Sequence, residues 1–299
     1  MEPERLYSKI KVLMYHRVAK DDFSDPGNIF YISERLFKKH LWLLSRLNYT
    51  TITFEDYDLH RRGRLTLPAR PIILTFDDGH RDTFDVARPH ILDFDMKAVV
   101  FIVGSFKHKH ACWDQTEKPW DYPLLERQQI RALRQDGFEI GAHSVNHPYL
   151  TRLPEDGVRF EVNESKKFVE RILEEQVISF AYPYGDINEI VKKVVIDSGF
   201  RYACGVYSGQ PGFEKDLFDI RRISITKGTS SLGFLRKLLL PLEDLNYYWK
   251  NFKTASGEKP QVVSTRSENT MDGNITLNCD GKEKQHYGQE RPINKFVRP

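Results

Sequence analysis

Leu74–His80 read LTFDDGH, in which a short apolar run is followed by two adjacent aspartates and a glycine. The run belongs to a longer one, RPIILTF at 70–76, whose β-branched and aromatic residues lie between turn residues and predict a strand. A carboxylate is expensive to bury unless it is paired or bound to a metal. A buried strand that ends on Asp77 and Asp78 needs a use for both, and the plainer alternative is a solvated turn before Gly79.

Outward from this strand the same kind of run recurs at 9–15 (KIKVLMY), 49–54 (YTTITF), 97–103 (KAVVFIV), 138–142 (FEIGA), 177–182 (VISFAY), 200–206 (FRYACGV) and 218–225 (FDIRRISI). Amphipathic helices are predicted between them. Phe37, Leu41 and Leu44 repeat at helical spacing, with Leu36, Leu43 and Leu47 widening the stripe and Ser33 placed to cap it. Val158, Val162, Ser165, Val169 and Ile172 form a second stripe. Ile187, Ile190, Val191 and Val194 form a third, stopped by Gly199. Alternating β and α elements with short links argue for an α/β fold with a parallel sheet covered by helices. Seven or eight such strands suggest closure into a barrel, whose active site is built at the C-terminal strand ends. Asp77 and Asp78 then sit at its mouth.

The chain has 299 residues, 40% hydrophobic and 29% charged, as is ordinary for a soluble globular protein. A net charge of +3 is too small to argue for nucleic acid, and no apolar run is long enough to span a membrane. The start, MEPERLYSKIKVLMYHRV, lacks the apolar core and cleavage site of a secretory signal, so the expectation is a cytoplasmic protein, free or peripheral to a membrane. Cys112, Cys204 and Cys279 lie far apart and read as reduced thiols. Residues 1–252 carry the strand–helix rhythm, while 253–299 are polar and without a helical stripe, as in a disordered tail.

Two further motifs lie at strand ends. His143 and His147 in GAHSVNHPYL are one turn apart and can aim two imidazoles at one point. Pro148 disfavours the α conformation at His147, which places the pair on a turn. Two histidines and a carboxylate are a common catalytic zinc set with one position open. An ion there lowers the pKa of water and polarises a carbonyl. A second carboxylate can take up the proton. Adjacent aspartates suit that split of roles. The third motif, SFAYPYGD at 179–186, offers a rigid turn whose backbone N–H groups could stabilise an oxyanion.

LTFDDG, HSVNH and YPYG, in this order and at these intervals, resemble the polysaccharide deacetylases (NodB-homology domain, carbohydrate esterase family 4) over roughly residues 10–240. The resemblance implies a distorted (β/α)7 barrel that hydrolyses N-acetyl groups from an amino-sugar glycan or its precursor. It makes Asp77 the general base and assigns a divalent metal, usually zinc, to Asp78, His143 and His147. The backbone N–H at Tyr184 is the implied oxyanion donor. Such ligands also accept cobalt, nickel or iron. Where many members carry an arginine before the proline of the third motif, this chain has Ala181. Arg221 or Arg222 is the candidate substitute, although exposed strand arginines are the commoner reading. The C-terminal Leu-x-His that supplies the acid in many members is also missing. LMYHRV resembles instead the branch with poly-N-acetylglucosamine deacetylases, which is circularly permuted and takes its acid from an N-terminal strand. His16 occupies that place.

Tyr182, Trp113 and Arg222 are assigned to the substrate groove, with Trp120 as a second aromatic of the same loop able to stack on sugar rings. The competing readings are a deformylase or amidase acting on a lipid-linked sugar or small amide, and a carbohydrate-binding relative without turnover.

Overall fold

The computed structural model describes residues 10–23, 25, 28–104, 109–111, 113 and 122–240. The expected tail at 253–299, together with Trp120, Cys112 and Cys279, lies outside them. The strands are β1 (Lys11–Tyr15), β2 (Arg17–Ala19), β3 (Tyr31–Ser33), β4 (Thr50–Thr51), β5 (Pro71–Phe76), β6 (Val99–Ile102), β7 (Glu139–Ala142), β8 (Ser179–Ala181), β9 (Tyr202–Cys204) and β10 (Ile223–Ser224). The helices are α1 (Glu34–Arg46), α2 (Phe54–Arg61), α3 (Arg88–Asp93), α4 (Arg127–Gln135), α5 (Glu155–Leu173), α6 (Glu189–Asp197) and α7 (Ser231–Leu239).

The main sheet runs β10-β1-β5-β6-β7-β8-β9, every pair parallel, with β4 on β5; β2 and β3 form a separate parallel pair. β5 shares one edge between two neighbours. Thr50 and Thr51 pair with Pro71 and Ile72 near its start, and Val99 and Val100 with Thr75 and Phe76 at its end. The gap between β9 and β10 is bridged by the segment leading into β10. Ile220 donates its N–H to the Ala203 carbonyl at 2.9 Å, and Ala203 donates to the Leu217 carbonyl at 2.8 Å. The sheet curls into a distorted (β/α)7 barrel.

Alternation along the strands divides the core. Ile72, Leu74 and Phe76 join the large cluster under the helices, while Ile73 belongs to a second cluster with Val12, Val99, Phe101, Tyr202 and Cys204. By the same rhythm Thr75, and after it Asp77, follow Ile73. Parallel strands covered on both faces are apolar throughout, and β5 is buried at all six positions.

Local signals account for most of the elements. Ser33 accepts the Leu36 N–H and starts α1, whose buried face is Phe37, His40, Leu41 and Leu44. Two expectations need correction. The run at 49–54 is a strand only at Thr50–Thr51, because Thr53 and Asp56 form a reciprocal capping box that starts α2 at Phe54. On α6 the buried residues are Val191, Val194 and Val195, while Ile190 faces solvent; Asn188 caps the helix and sets that phase. Among the described residues no helix is long and apolar enough to cross a membrane.

Opposite the strand ends that carry the motifs, Glu139 opens β7 as a buried carboxylate. It accepts the Ser179 hydroxyl at 2.6 Å and the N–H of Glu55, in the first turn of α2, at 2.9 Å. Burial and then the negative charge of Glu55 push its pKa up to about 8. Between the ordinary carboxylate range and that value the unfolded chain holds fewer protons than the folded one, so stability falls as pH rises. Glu139→Gln is expected to flatten this slope, read as urea midpoints at pH values across that window. Equal slopes in the two proteins would count against a protonated Glu139.

Candidate functional site

Three strand ends converge. After β5, the Asp77 N–H donates to the Tyr15 carbonyl at 3.0 Å and continues the ladder with β1. The backbone then turns left-handed at Asp78 (φ 72°) and Gly79 (φ 71°). A Cβ on Gly79 would lie 3.0 Å from Ile102 Cδ1, so this tight turn favours glycine. After β7 comes His143, whose N–H donates to the Ile102 carbonyl at 2.9 Å. Ser144 (φ 60°) and His147 (φ 54°) are also left-handed, and the pair of histidines lies on a turn, as Pro148 implies.

His143 Nδ1 sits 2.7 Å from the Ala181 carbonyl at the end of β8. A carbonyl only accepts, so Nδ1 carries a proton and neutral His143 offers a lone pair at Nε2. That Nε2 lies 3.3 Å from Asp78 Oδ1, and His147 Nε2 lies 3.1 Å from the same oxygen. Two ligand atoms on a tetrahedral zinc at about 2.0–2.1 Å are separated by roughly 3.3 Å. Lone pairs facing a buried carboxylate oxygen at that spacing repel unless a cation or proton lies between them. Asp78, His143 and His147 are all buried, with ligand atoms within 4.8 Å of one another. The donor set fits a divalent ion.

Asp77 has a different partner. Arg222, fully buried, donates from Nη1 to Asp77 Oδ1 at 2.7 Å and from Nη2 to Oδ2 at 2.8 Å. Its Nη1 also reaches Thr75 Oγ1 at 3.2 Å, and its Nε donates to the Gly205 carbonyl at 2.8 Å. Burial alone would raise the Asp77 pKa; the charge of Arg222, and after it that of His143, outweighs burial and holds it low. The expectation of a groove or exposed arginine at 222 is therefore corrected. Its guanidinium is spent inside the barrel, on Asp77, Thr75 and the Gly205 carbonyl. Arg221, by contrast, turns outward to the Tyr207 and Gly209 carbonyls.

The remaining expected residues divide. His16 follows β1, half-buried, with its ring 4.8 Å from that of Phe30 and its charge among those acting on Asp77. Trp113 stacks on His147 at 4.7 Å, and Tyr184 meets the same imidazole edge-on at 4.5 Å. Tyr184 is left-handed (φ 59°) and 40% exposed at the mouth. Tyr182 is packed away from it, buried against Phe180 with its hydroxyl donating to the Phe218 carbonyl at 2.8 Å, so a place in the groove is corrected too. Sequence reasoning passed over His80, which is buried with Nε2 3.3 Å from Asp78 Oδ2. Its only signal was its place two residues after Asp78.

Comparison with known proteins agrees with this geometry. The family model for polysaccharide deacetylases matches residues 64–203, which hold the Asp-Asp, His-x3-His and YPYG motifs. These residues form a polysaccharide deacetylase domain. The chain is similar to the Bacillus subtilis (strain 168) protein YxkH, named for a polysaccharide deacetylase, at 26% identity over 76% of this chain and 75% of that one. It is similar to the poly-beta-1,6-N-acetyl-D-glucosamine N-deacetylase of Staphylococcus aureus at 21% identity over 64% of this chain and 69% of the other. In fold, the structure of Streptococcus pyogenes deacetylase PplD in complex with acetate superposes with a TM-score of 0.65 at 23% identity, covering 77% of this chain and 98% of that one. Ammonifex degensii IcaB superposes with a TM-score of 0.63 at 20% identity, covering 77% and 97%. Enzymes of this family are hydrolases of N-acetyl amide bonds. His16 and Arg222 lie outside the matched residues of the deacetylase domain.

The geometry separates the two aspartates. Asp78→Asn is expected to lose stoichiometric divalent metal and Asp77→Asn to retain it, measured by elemental analysis of protein refilled with zinc. Equal loss from both would overturn the division.

Proposed function

We propose that the protein is a metal-dependent carbohydrate N-deacetylase that hydrolyses the N-acetyl group of an amino sugar to a free amine and acetate. The observation that carries this reading is the separate provision for two adjacent buried carboxylates. Asp78 faces two imidazoles at metal-ligand spacing, and Asp77 is clamped by Arg222. Asp78, His143 and His147 would hold the ion, with zinc fitting the set best. When bound, it supplies a Lewis acid and lowers the pKa of water. Asp77, kept ionised and oriented by a two-pronged guanidinium, serves as the base that takes the proton of the attacking water. The backbone N–H of Tyr184 is the proposed donor to the developing oxyanion. Trp113 offers a ring beside His147 against which the substrate can pack.

The departing amine leaves poorly unless its nitrogen is protonated, and His16 is the proposed acid. It stands at the end of β1, the strand paired with β5, and its charge reaches Asp77. The test is acetate release from a panel of N-acetylated glycans, with and without chelator. His16→Ala is expected to keep its zinc and lose about 10²–10⁴-fold in turnover, the usual range for a general acid. A variant with unchanged turnover removes His16 from the mechanism, and no acetate from any N-acetylated glycan removes the reading itself.

Arg222 sets the pH at which the base works. Without the guanidinium, burial acts unopposed on Asp77, so its pKa rises and the carboxylate is protonated at higher pH. In Arg222→Met the acidic limb of the kcat/KM profile should move to higher pH. Arg222→Lys, which keeps a charge but not the paired bonds, should move it less. An unmoved limb in both would show that Arg222 does not govern the base.

A further inference from the structure

Several buried charged groups stand outside this mechanism, Glu161 among them. Glu161 lies on the inward stripe of α5, between Val158, Val162 and Ser165, and is only 6% exposed. A carboxylate in that stripe needs strong donors. Among the described residues its donors all belong to the turn that carries His143 and His147. Glu161 Oε2 accepts the N–H of Val145 at 2.8 Å and of Asn146 at 2.9 Å, and Oε1 accepts Asn146 Nδ2 at 2.6 Å.

That turn is otherwise hard to hold. Ser144 and His147 both adopt positive φ, which residues other than glycine rarely do. Glu161 completes a set of hydrogen bonds that fix the turn at both ends and in its middle. The Gly104 N–H donates to the Ser144 carbonyl at 2.7 Å, and the His147 N–H donates to Ser144 Oγ at 3.0 Å. Glu161 takes the two N–H groups between them. The approach of α5 is built in as well. A Cβ on Gly104 would stand 2.7 Å from the Cα of Ser165, one helical turn beyond Glu161, so only glycine at 104 lets the helix come this near.

We propose that Glu161 is a positioning residue that locks the His143–His147 turn in its metal-binding conformation, acting through the backbone N–H groups of Val145 and Asn146. This inference rests on the reading of Asp78, His143 and His147 as the metal ligands. Glu161 touches neither the ion nor the substrate. It fixes the direction of His147 before any ligand arrives, so that binding need not order the turn.

The test uses the full chain with Glu161→Ala, Glu161→Gln and, as a control on the same helix, Val169→Ala. Zinc affinity is measured by competition with a chromogenic chelator, coordination by the visible absorption of the cobalt-loaded protein, and folding by the melting of the metal-free protein. Glu161→Ala should weaken zinc by about 10–100-fold, the usual effect of losing a partner that orients metal ligands, and should alter the cobalt spectrum. Glu161→Gln, which keeps an acceptor oxygen for the two N–H groups, should fall between it and the wild type. Val169→Ala should lower the melting temperature and leave zinc affinity and the cobalt spectrum as they were. If Glu161→Ala does not fold, Glu161→Gln carries the comparison, and its wild-type affinity overturns the proposal. So does equal weakening by Val169→Ala, which would make the effect one of general stability. A wild-type protein that binds no zinc would defeat the metal reading instead, a result distinct from either.

Discussion

Two carboxylates on consecutive residues, both buried, are the constraint on which the rest of this structure depends. Neither can share the other's counter-charge without leaving one negative group unpaired in a low-dielectric interior. The backbone separates them. Asp77 keeps the alternation of β5 and lies on the side of Thr75, where Arg222 reaches both residues. Asp78 takes a left-handed step out of that alternation and turns to the histidines after β7. One residue therefore meets a fixed cation of the protein, and the next meets a donor set that fits a divalent ion.

The two provisions come from different parts of the chain. Asp78, His143 and His147 lie within residues 64–203, the part matched by the deacetylase family model, just past β5 and β7, with the end of β8 supplying the carbonyl that orients His143. His16 lies just past β1 and Arg222 just before β10, strands that pair with each other, and β1 pairs with β5. Where β9 and β10 do not pair directly, the Ile220–Ala203 hydrogen bond spans the gap two residues before Arg222. Closing the barrel thus delivers the group that keeps Asp77 ionised. An open sheet could still assemble the ligands but would leave Asp77 buried and unpaired.

Strands, stripes and the Asp-Asp and His-x3-His groupings were legible in the sequence because each has a short local signature. The apolar period marks a strand, a serine before a stripe marks a cap, and a proline after His147 marks a turn. Arg222 was not legible in the same way. A strand-like FDIRRISI gives no sign of which arginine faces inward, since that depends on where β10 meets β1. Tyr182 was misread for a related reason: its motif lies at the mouth, yet the residue before the proline still obeys strand alternation and turns into the core. Glu161 looked like one more polar residue of an amphipathic helix. Its partners are backbone N–H groups 15 and 16 residues earlier, and such pairings leave no mark in composition or period.

The left-handed residues show how the mouth is shaped. Asn48, Asp95 and Glu174 follow the ends of α1, α3 and α5, where a positive φ is a common way to stop a helix. Asp78, Ser144, His147 and Tyr184 have no such role, and they lie just past β5, β7 and β8. A strand that simply ran on would send successive side chains to opposite faces. A left-handed step breaks that rhythm and lets neighbouring residues be aimed independently, which a site built from adjacent residues requires. The steps are held by surroundings that do not yield: Ile102 against Gly79, Glu161 and Gly104 on the histidine turn, and the ring of Tyr149 stacked at 4.0 Å on Tyr184. Strain is concentrated where direction matters, and the packed barrel below holds it in place.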